Sequence, residues 1–244
     1  MTHTIIIIGA HGKMGTTTCV AVEQSSDFEL VAKLGKADDI QKSILQHQPD
    51  IVIDFTNAAA VYENTLFLLS NNIKTVVGAS GLTFEQVEQL EKLAQEQQTG
   101  CIIAPNFSIG AILMMRFAAQ AARFFPEAEI VETHHQQKLD APSGTAVKTA
   151  EMIKNNRRQQ KNINESIEQY PGARGAEVAD VNIHAVRLPG YVASQQVLFG
   201  GQGENLTIQH NSINRECFMP GVLLACREVL KLDSLIYGLE NFLI

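Results

Sequence analysis

Two adjacent histidines and a lysine fall within one short stretch: Glu132-Thr133-His134-His135-Gln136-Gln137-Lys138-Leu139-Asp140-Ala141-Pro142-Ser143-Gly144-Thr145-Ala146. It gathers cationic and proton-donating groups, and Ser143-Gly144-Thr145 then opens an expected helix. Backbone N–H groups and hydroxyls at a helix N-terminus suit a carboxylate. A local acid plus an anion clamp, given a hydride donor, is what reduction of an unsaturated carboxylic acid needs. Hydride addition leaves carbanion character that a histidine, with an ordinary pKa of about 6.5, can protonate. A metal site is the rival reading. Adjacent histidines point to opposite sides of a strand, however, and no carboxylate or cysteine cluster completes a ligand set, so no metal is expected. His11, His47, His184 and His210 each have a structural role as their default reading.

The hydride donor has its own candidate site. Gly9-Ala10-His11-Gly12-Lys13-Met14-Gly15 lies between an expected strand and an expected helix. Such a turn lets backbone N–H groups approach a pyrophosphate, aided by the positive end of the helix. The end of the second strand ordinarily separates NAD from NADP: an acid there binds ribose hydroxyls, and a base accommodates the extra phosphate. The sequence reads Lys33-Leu34-Gly35-Lys36-Ala37-Asp38, with Gly35 at the usual acid position. Lys36, helped by Lys13, favours NADPH or dual use. Lys36 also has the plain reading of a solvated lysine, and Asp38 or Asp39 reaches the ribose if the loop folds back.

Strands are expected at 4–8, 29–34, 51–55, 74–77 and 101–104. Helices are expected at 13–25, 58–71 and 85–97, the last opened by a capping box of Thr83 and Gln86. Short, near-continuous apolar strands between helices indicate a parallel sheet covered on both faces. The character changes after Ala104-Pro105-Asn106. A long apolar helix is expected at 109–125, a strand at 129–133 and a helix from Ser143. The polar stretch 155–168 reads as that helix's end and an exposed connection. Strands at 181–187, 191–199 and 206–210 follow without helices between them, which indicates a mixed or antiparallel sheet. Pro220 to Lys231 reads as a final helix with proline in its first turn. The expected fold class is α/β: an N-terminal Rossmann-like doubly wound parallel sheet plus a smaller C-terminal α+β domain with a mixed sheet. The expected division is 1–107 for dinucleotide binding, 108–214 for substrate binding and oligomerisation, and 215–244 returning to the first domain.

The bulk numbers agree with an ordinary globular protein. The chain has 244 residues, 45% hydrophobic, with a formal net charge of −7. An acidic surface disfavours phosphate backbones, so no nucleic-acid partner is expected. Cys19, Cys101, Cys217 and Cys226 match no zinc framework and read as free thiols in a reducing compartment. The apolar run Ile5 to Ile8 is too short for a signal or a span, so no membrane association and a cytoplasmic location are expected.

The stretch from His134 to Ala146 resembles the signature of the 4-hydroxy-tetrahydrodipicolinate (dihydrodipicolinate) reductases, NAD(P)H-dependent enzymes of the diaminopimelate route to lysine. The resemblance covers essentially the whole chain. It includes Gly9 to Gly15, Asp54-Phe55-Thr56, Ala104 to Gly110, Arg187-Leu188-Pro189-Gly190, Phe199-Gly200, Leu206-Thr207-Ile208 with His210, Arg215 and Phe218-Met219-Pro220-Gly221. It implies that His134 is the proton donor and Lys138 a second catalytic and substrate-binding group. His135, Ser143, Gly144, Thr145 and Arg215 are implied to bind a cyclic dicarboxylate substrate. The loop residues Gly9, Ala10, His11, Gly12, Lys13 and Met14 are implied to bind the cofactor, with Lys36, Gly78, Ala79, Ser80, Ala104, Pro105, Asn106 and Phe107. Ala79-Ser80 replaces a common Thr-Thr pair, which removes one hydroxyl contact. A homotetramer built through the second domain's sheet is also implied, with hinges near 106–108 and 214–215. Two rivals stand beside this reading: another dehydrogenase on the same two-domain plan, and a nucleotide sensor that binds without turnover.

Overall fold

A computed structural model describes residues 2–158 and 167–243. In chain order the elements are β1 (His3–Ile8), α1 (Lys13–Glu23), β2 (Phe28–Leu34), α2 (Ile40–His47), β3 (Ile51–Asp54), α3 (Val61–Ser70), β4 (Lys74–Val77), α4 (Phe84–Glu96) and β5 (Cys101–Ile103). Then come α5 (Ile109–Ala121), β6 (Glu127–His134), α6 (Gly144–Asn156), β7 (Ala176–Val178), β8 (Val181–Arg187), β9 (Ala193–Gly201) and β10 (Glu204–Ser212). A 3-10 turn (Arg215–Phe218), α7 (Met219–Val229), β11 (Leu235–Tyr237) and a second 3-10 turn (Leu239–Phe242) end the chain. These elements form two compact units, Met1–Ile109 with Arg215–Ile244, and Gly110–Asn214.

The first unit holds a six-stranded sheet in the order β11-β5-β4-β3-β1-β2, parallel throughout. Ile5, Ile6, Ile7 and Ile8 are all fully buried, as are Ile51, Val52 and Ile53, because helices cover both faces. That explains why these strands read as unbroken apolar runs rather than alternating ones. From β1 the chain pairs β2 on one side, then crosses to place β3 on the other. This reversal opens a crevice at the C-terminal ends of β1 and β3, where ligands of open α/β sheets bind.

Helix α4 starts where the sequence indicated: Thr83 Oγ1 accepts from Gln86 N at 3.3 Å, and Gln86 Oε1 accepts from Thr83 N at 3.0 Å. Three elements were not anticipated. Helix α2 buries only Ile44 fully and is started by Asp39, whose carboxylate accepts from Lys42 N. Strands β7 and β11 have three residues each and depend on pairing with β8 and β5. Such short pieces carry no periodicity. Helix α5 ends at Ala121, short of the expected Phe125; residues 122–125 form turns before Pro126. Part of the polar connection expected over 155–168 lies outside the described residues.

The second unit is a five-stranded mixed sheet, β10-β9-β6-β8-β7, in which only β6 and β8 run parallel. Helices α5 and α6, with Ala122 just past the end of α5, pack on one face through Ala118, Ala122, Ala146, Ala150 and Ile153, against Ile130, Ile183, Val197 and Phe199. Small residues on the helices let them approach the sheet closely.

The C-terminal segment is fastened to the first sheet by its edge pairing and by a lysine. Lys74 Nζ donates to Leu232 O at 2.8 Å and Val229 O at 3.4 Å, capping the carbonyl end of α7. Lys74→Met should cost about 1–3 kcal/mol, the scale of a charged hydrogen bond lost at partly buried acceptors. Urea unfolding of the two proteins checks it, and no change in midpoint would mean that solvent takes over the capping.

Candidate active site

Strand β6 alternates, with Ala128, Ile130 and Glu132 buried on the helix-covered face. Glu132 is an ionisable group in an apolar row, with no exposed surface. Two residues further on the same face stands His134, and β8 brings Arg187 beside it in parallel register. The Glu132 carboxylate is fully engaged. Its Oε2 lies 2.6 Å from His134 Nδ1 and 2.8 Å from Arg187 Nη1, and its Oε1 accepts from Arg187 Nη2 at 2.8 Å and Ser143 N at 3.1 Å. Burial works against the charged carboxylate, but the Arg187 and His134 bonds outweigh it, and the Glu132 pKa lies below its ordinary 4.5. His134 is depressed from its ordinary 6.5, chiefly by burial; Glu132 opposes this, while Lys138 and Arg187 add to it.

The loop after β6 is held from both sides. Arg187 Nη2 donates to Asp140 O at 2.7 Å, Leu188 N donates to His134 O at 3.0 Å, and Lys138 N donates to His135 O at 3.1 Å. Lys138 Nζ reaches both Asp140 oxygens at 2.8 Å. Asp140 is 64% exposed, so this pair is weak and exchangeable for another carboxylate. Ser143 caps α6, its hydroxyl accepting from Ala146 N at 3.3 Å. The N–H groups of Gly144 and Thr145 have no backbone partner among the described residues, and a Cβ at Gly144 would meet nothing within 4 Å. The second unit thus brings together His134, Lys138, Ser143, Gly144 and Thr145, with His135 next in sequence.

In the first unit the candidate nucleotide residues follow the C-terminal ends of parallel strands and therefore share one edge of the sheet. Gly9 has φ +76°, and a side chain there would run into the Phe55 carbonyl at the end of β3. Ala10 N donates to Leu34 O, and Gly12 N donates to Gly9 O, which folds the loop on itself. Gly12 starts α1 without a side-chain cap, and the N–H groups of His11, Lys13 and Met14 have no partner among the described residues. That open N–H cradle fits a pyrophosphate. Gly78 N and Ala79 N both donate to Asp54 O, so these two positions present carbonyls and side-chain surface rather than N–H groups. Ser80 follows them. Ala104 N donates to Val77 O, and Pro105 follows. Asn106 turns its carboxamide back onto Ser108 N, and Phe107 meets Phe55 edge to face at 5.7 Å. Lys36 is exposed just past β2. Arg215 is exposed at the start of its 3-10 turn, in the unit that does not contain His134.

The family models for the dihydrodipicolinate reductase N-terminus and C-terminus match residues 3–107 and 110–243. The chain belongs to the dihydrodipicolinate reductase family. It is 54% identical over 239 residues to the 4-hydroxy-tetrahydrodipicolinate reductase of Legionella pneumophila, covering 98% of each chain. With the Coxiella burnetii protein of the same name the identity is 46% over 240 residues, again 98% of each. Among solved structures, a dipicolinate-bound dihydrodipicolinate reductase from Paenisporosarcina sp. TG-14 superposes with a TM-score of 0.90 at 42% identity, covering 99% of each chain. The fold class expected from the sequence is the one found. The N-terminal family model and the dehydrogenase-like fold go with a nicotinamide nucleotide cofactor.

Sequence reasoning passed over three side chains that organise these sites. Glu132 begins the stretch that runs to Ala146 and Arg187 begins the Arg187-Leu188-Pro189-Gly190 motif, yet the sequence alone assigns neither a function. The available signal was an acid at a core-facing position two residues before His134. Asp54, also fully buried, accepts from Thr56 N and Oγ1 and from Asn64 Nδ2, and its pKa is raised by burial. Arg187→Met would leave the buried Glu132 carboxylate without its guanidinium partner. The expected loss of stability at pH 7 is about 3–5 kcal/mol, read by urea unfolding. Because the native Glu132 pKa is depressed, its contribution is complete above about pH 4.5 and is lost as pH falls through its folded value. The difference between the two proteins should therefore shrink on acidification.

Proposed function

We propose that the protein transfers a hydride from NADPH or NADH to 4-hydroxy-tetrahydrodipicolinate (dihydrodipicolinate), giving tetrahydrodipicolinate in the diaminopimelate route to lysine. Its main support is a shared carboxylate: Glu132 bonds both His134 and the first turn of α6, so an acid and an open anion-binding turn are built as one piece. The nicotinamide nucleotide, when bound at the C-terminal edge of the first sheet, supplies the hydride. The chain's own residues do the rest. Gly144 and Thr145 N–H groups, with the Ser143 and Thr145 hydroxyls, receive one substrate carboxylate. Lys138 exchanges Asp140 for the substrate, and His135 adds to the dicarboxylate's surroundings. His134 donates the proton from Nε2, since Nδ1 is held by Glu132. Gly9, Ala10, His11, Gly12, Lys13 and Met14 hold the pyrophosphate. The segments Gly78-Ala79-Ser80 and Ala104 to Phe107 line the nicotinamide side.

The cofactor choice rests on β2's end. Lys36 and Lys13 offer positive charge to a 2′-phosphate, which favours NADPH. Of the two acids able to fold back, Asp38 does so, its Oδ2 accepting from Gly35 N at 2.7 Å, whereas Asp39 is used as the α2 cap. A carboxylate beside Gly35 can accept from ribose hydroxyls, so NADH is accommodated as well. Assembly as a homotetramer through the uncovered face of the second sheet, where Leu198 is 37% exposed, completes the reading. Among the described residues no helix is long and apolar enough to cross a membrane.

Two measurements test this. Oxidation of NADPH and NADH is followed, each separately, by the loss of the reduced nicotinamide's absorbance, with substrate generated by an upstream synthase. Synthase-dependent oxidation is expected, and His134→Gln should lower turnover ~10²–10⁴-fold while leaving nucleotide affinity unchanged. Intact turnover in that variant would remove His134 from the acid role. Separately, calorimetric titration of Lys36→Gln should weaken NADPH about tenfold, the equivalent of one charge-assisted contact, and leave NADH unchanged. Equal effects on both nucleotides would make Lys36 a solvated lysine.

A further inference from the structure

Four hydrogen bonds converge on one buried carboxylate, and they join elements that the reaction must keep in register. Glu132 sits inside β6, Arg187 at the end of β8, Ser143 at the first turn of α6, and His134 at the end of β6. We infer that Glu132 is a positioning residue for the reduction: it fixes His134 as the Nδ1–H tautomer with Nε2 turned to the substrate, and ties that ring to the carboxylate-binding turn of α6. This inference rests on the proposed acid role of His134.

The geometry leaves the carboxylate no other state. At 2.6 Å from Glu132 Oε2, Nδ1 can only be the donor, because an ionised carboxylate has no proton to give. Arg187 holds both oxygens at 2.8 Å and keeps Glu132 ionised despite complete burial. His134 Nε2 has no hydrogen-bond partner among the described residues, and the side chain is 16% exposed. In the protonated ring, Nε2–H is therefore the proton that can leave. Its departure gives the neutral Nδ1–H tautomer, the form that Glu132 stabilises, and solvent restores the proton after each turnover. The charged groups around the ring are Glu132 from β6, Arg187 from β8 and Lys138 from the following loop, with Asp140 paired to Lys138. Glu132 favours the protonated ring, whereas burial, Lys138 and Arg187 oppose it. A carboxylate that served only to anchor β8 and α6 would have no need to face the imidazole.

Nitrogen NMR of protein carrying ¹⁵N-histidine decides the matter without any substitution. The neutral His134 ring should show the Nδ1–H pattern; the commoner Nε2–H pattern would overturn the inference. Glu132→Gln keeps an acceptor for Ser143 N–H but loses the charge. Its His134 titration, and the limb of kcat/KM that falls as pH rises, should move to lower pH by about one unit or more. At pH 7 its turnover should fall at least about tenfold, the loss set by that shift in protonated fraction. A variant that loses only stability or raises KM, with both profiles in place, would make Glu132 merely structural. If His134→Gln itself keeps full turnover, the acid reading fails instead, and the tautomer result still stands or falls separately.

Discussion

A carboxylate with no exposed surface, in an otherwise apolar row, is the constraint around which the second unit is organised. An ion of that size taken out of water costs several kcal/mol even after relaxation, and only close, complete pairing offsets it. Glu132 obtains that pairing from Arg187, Ser143 N–H and His134. Each partner belongs to a different piece of chain. The end of β8 must therefore lie alongside the end of β6, and the loop between β6 and α6 must return to offer Ser143. Arg187 also takes the Asp140 carbonyl, which fixes the middle of that loop. The positions of Lys138 and the open N–H groups of α6 follow from a requirement that is electrostatic before it is chemical.

The first unit is organised differently, by close backbone approach rather than by charge. The β1–α1 loop has to pass against the end of β3, which Gly9 permits. Helix α7, contributed by the far end of the chain, comes against the Phe107 carbonyl at Gly221, where any side chain would collide. The segment Ala104 to Phe107 is thus backed by residues more than a hundred positions later. This gives the Phe218-Met219-Pro220-Gly221 motif a physical meaning. Pro220 sets the first turn of α7, and Gly221 lets that turn touch the Phe107 carbonyl, in the segment proposed to line the nucleotide site. Lys74 and the β11 edge pairing secure the same segment from the opposite end of the sheet.

Much of this was legible in the sequence, for identifiable reasons. Buried parallel strands such as Ile5 to Ile8 and Ile51 to Ile53 stand out as apolar runs, and Thr83 with Gln86 marks a helix start by side-chain chemistry alone. What stayed hidden depended on tertiary pairing. Three-residue strands β7 and β11 exist only because a neighbour completes them. Helix α2 is only 8 residues long and buries Ile44 alone, so too few core-facing positions repeat along it to mark a helix. The role of Arg187 depends on which strand lies beside β6, and the parallel β6–β8 pairing could not be deduced from strand spacing. Asp38 and Asp39 were equivalent candidates on paper; the hydrogen bonds to Gly35 N and Lys42 N separate them. His210, read as structural, packs its ring against Gly110, and burial lowers its pKa.

The rival readings differ in what they require of the second unit. A nucleotide sensor needs the first sheet and its glycine loop, but nothing in sensing calls for an imidazole held by a buried carboxylate next to an open helix N-terminus. A dehydrogenase of another class could use the same first unit, since the fold accommodates many chemistries. It would still have to explain why the anion-binding turn and the imidazole share one carboxylate. The proposed reduction, which protonates a ring carbon of a bound dicarboxylate, does explain it. The ring and the anion clamp must keep a fixed separation while the reacting carbon receives its proton. Joining both to Glu132 sets that separation within the protein before any substrate arrives, so no binding energy is needed to establish it.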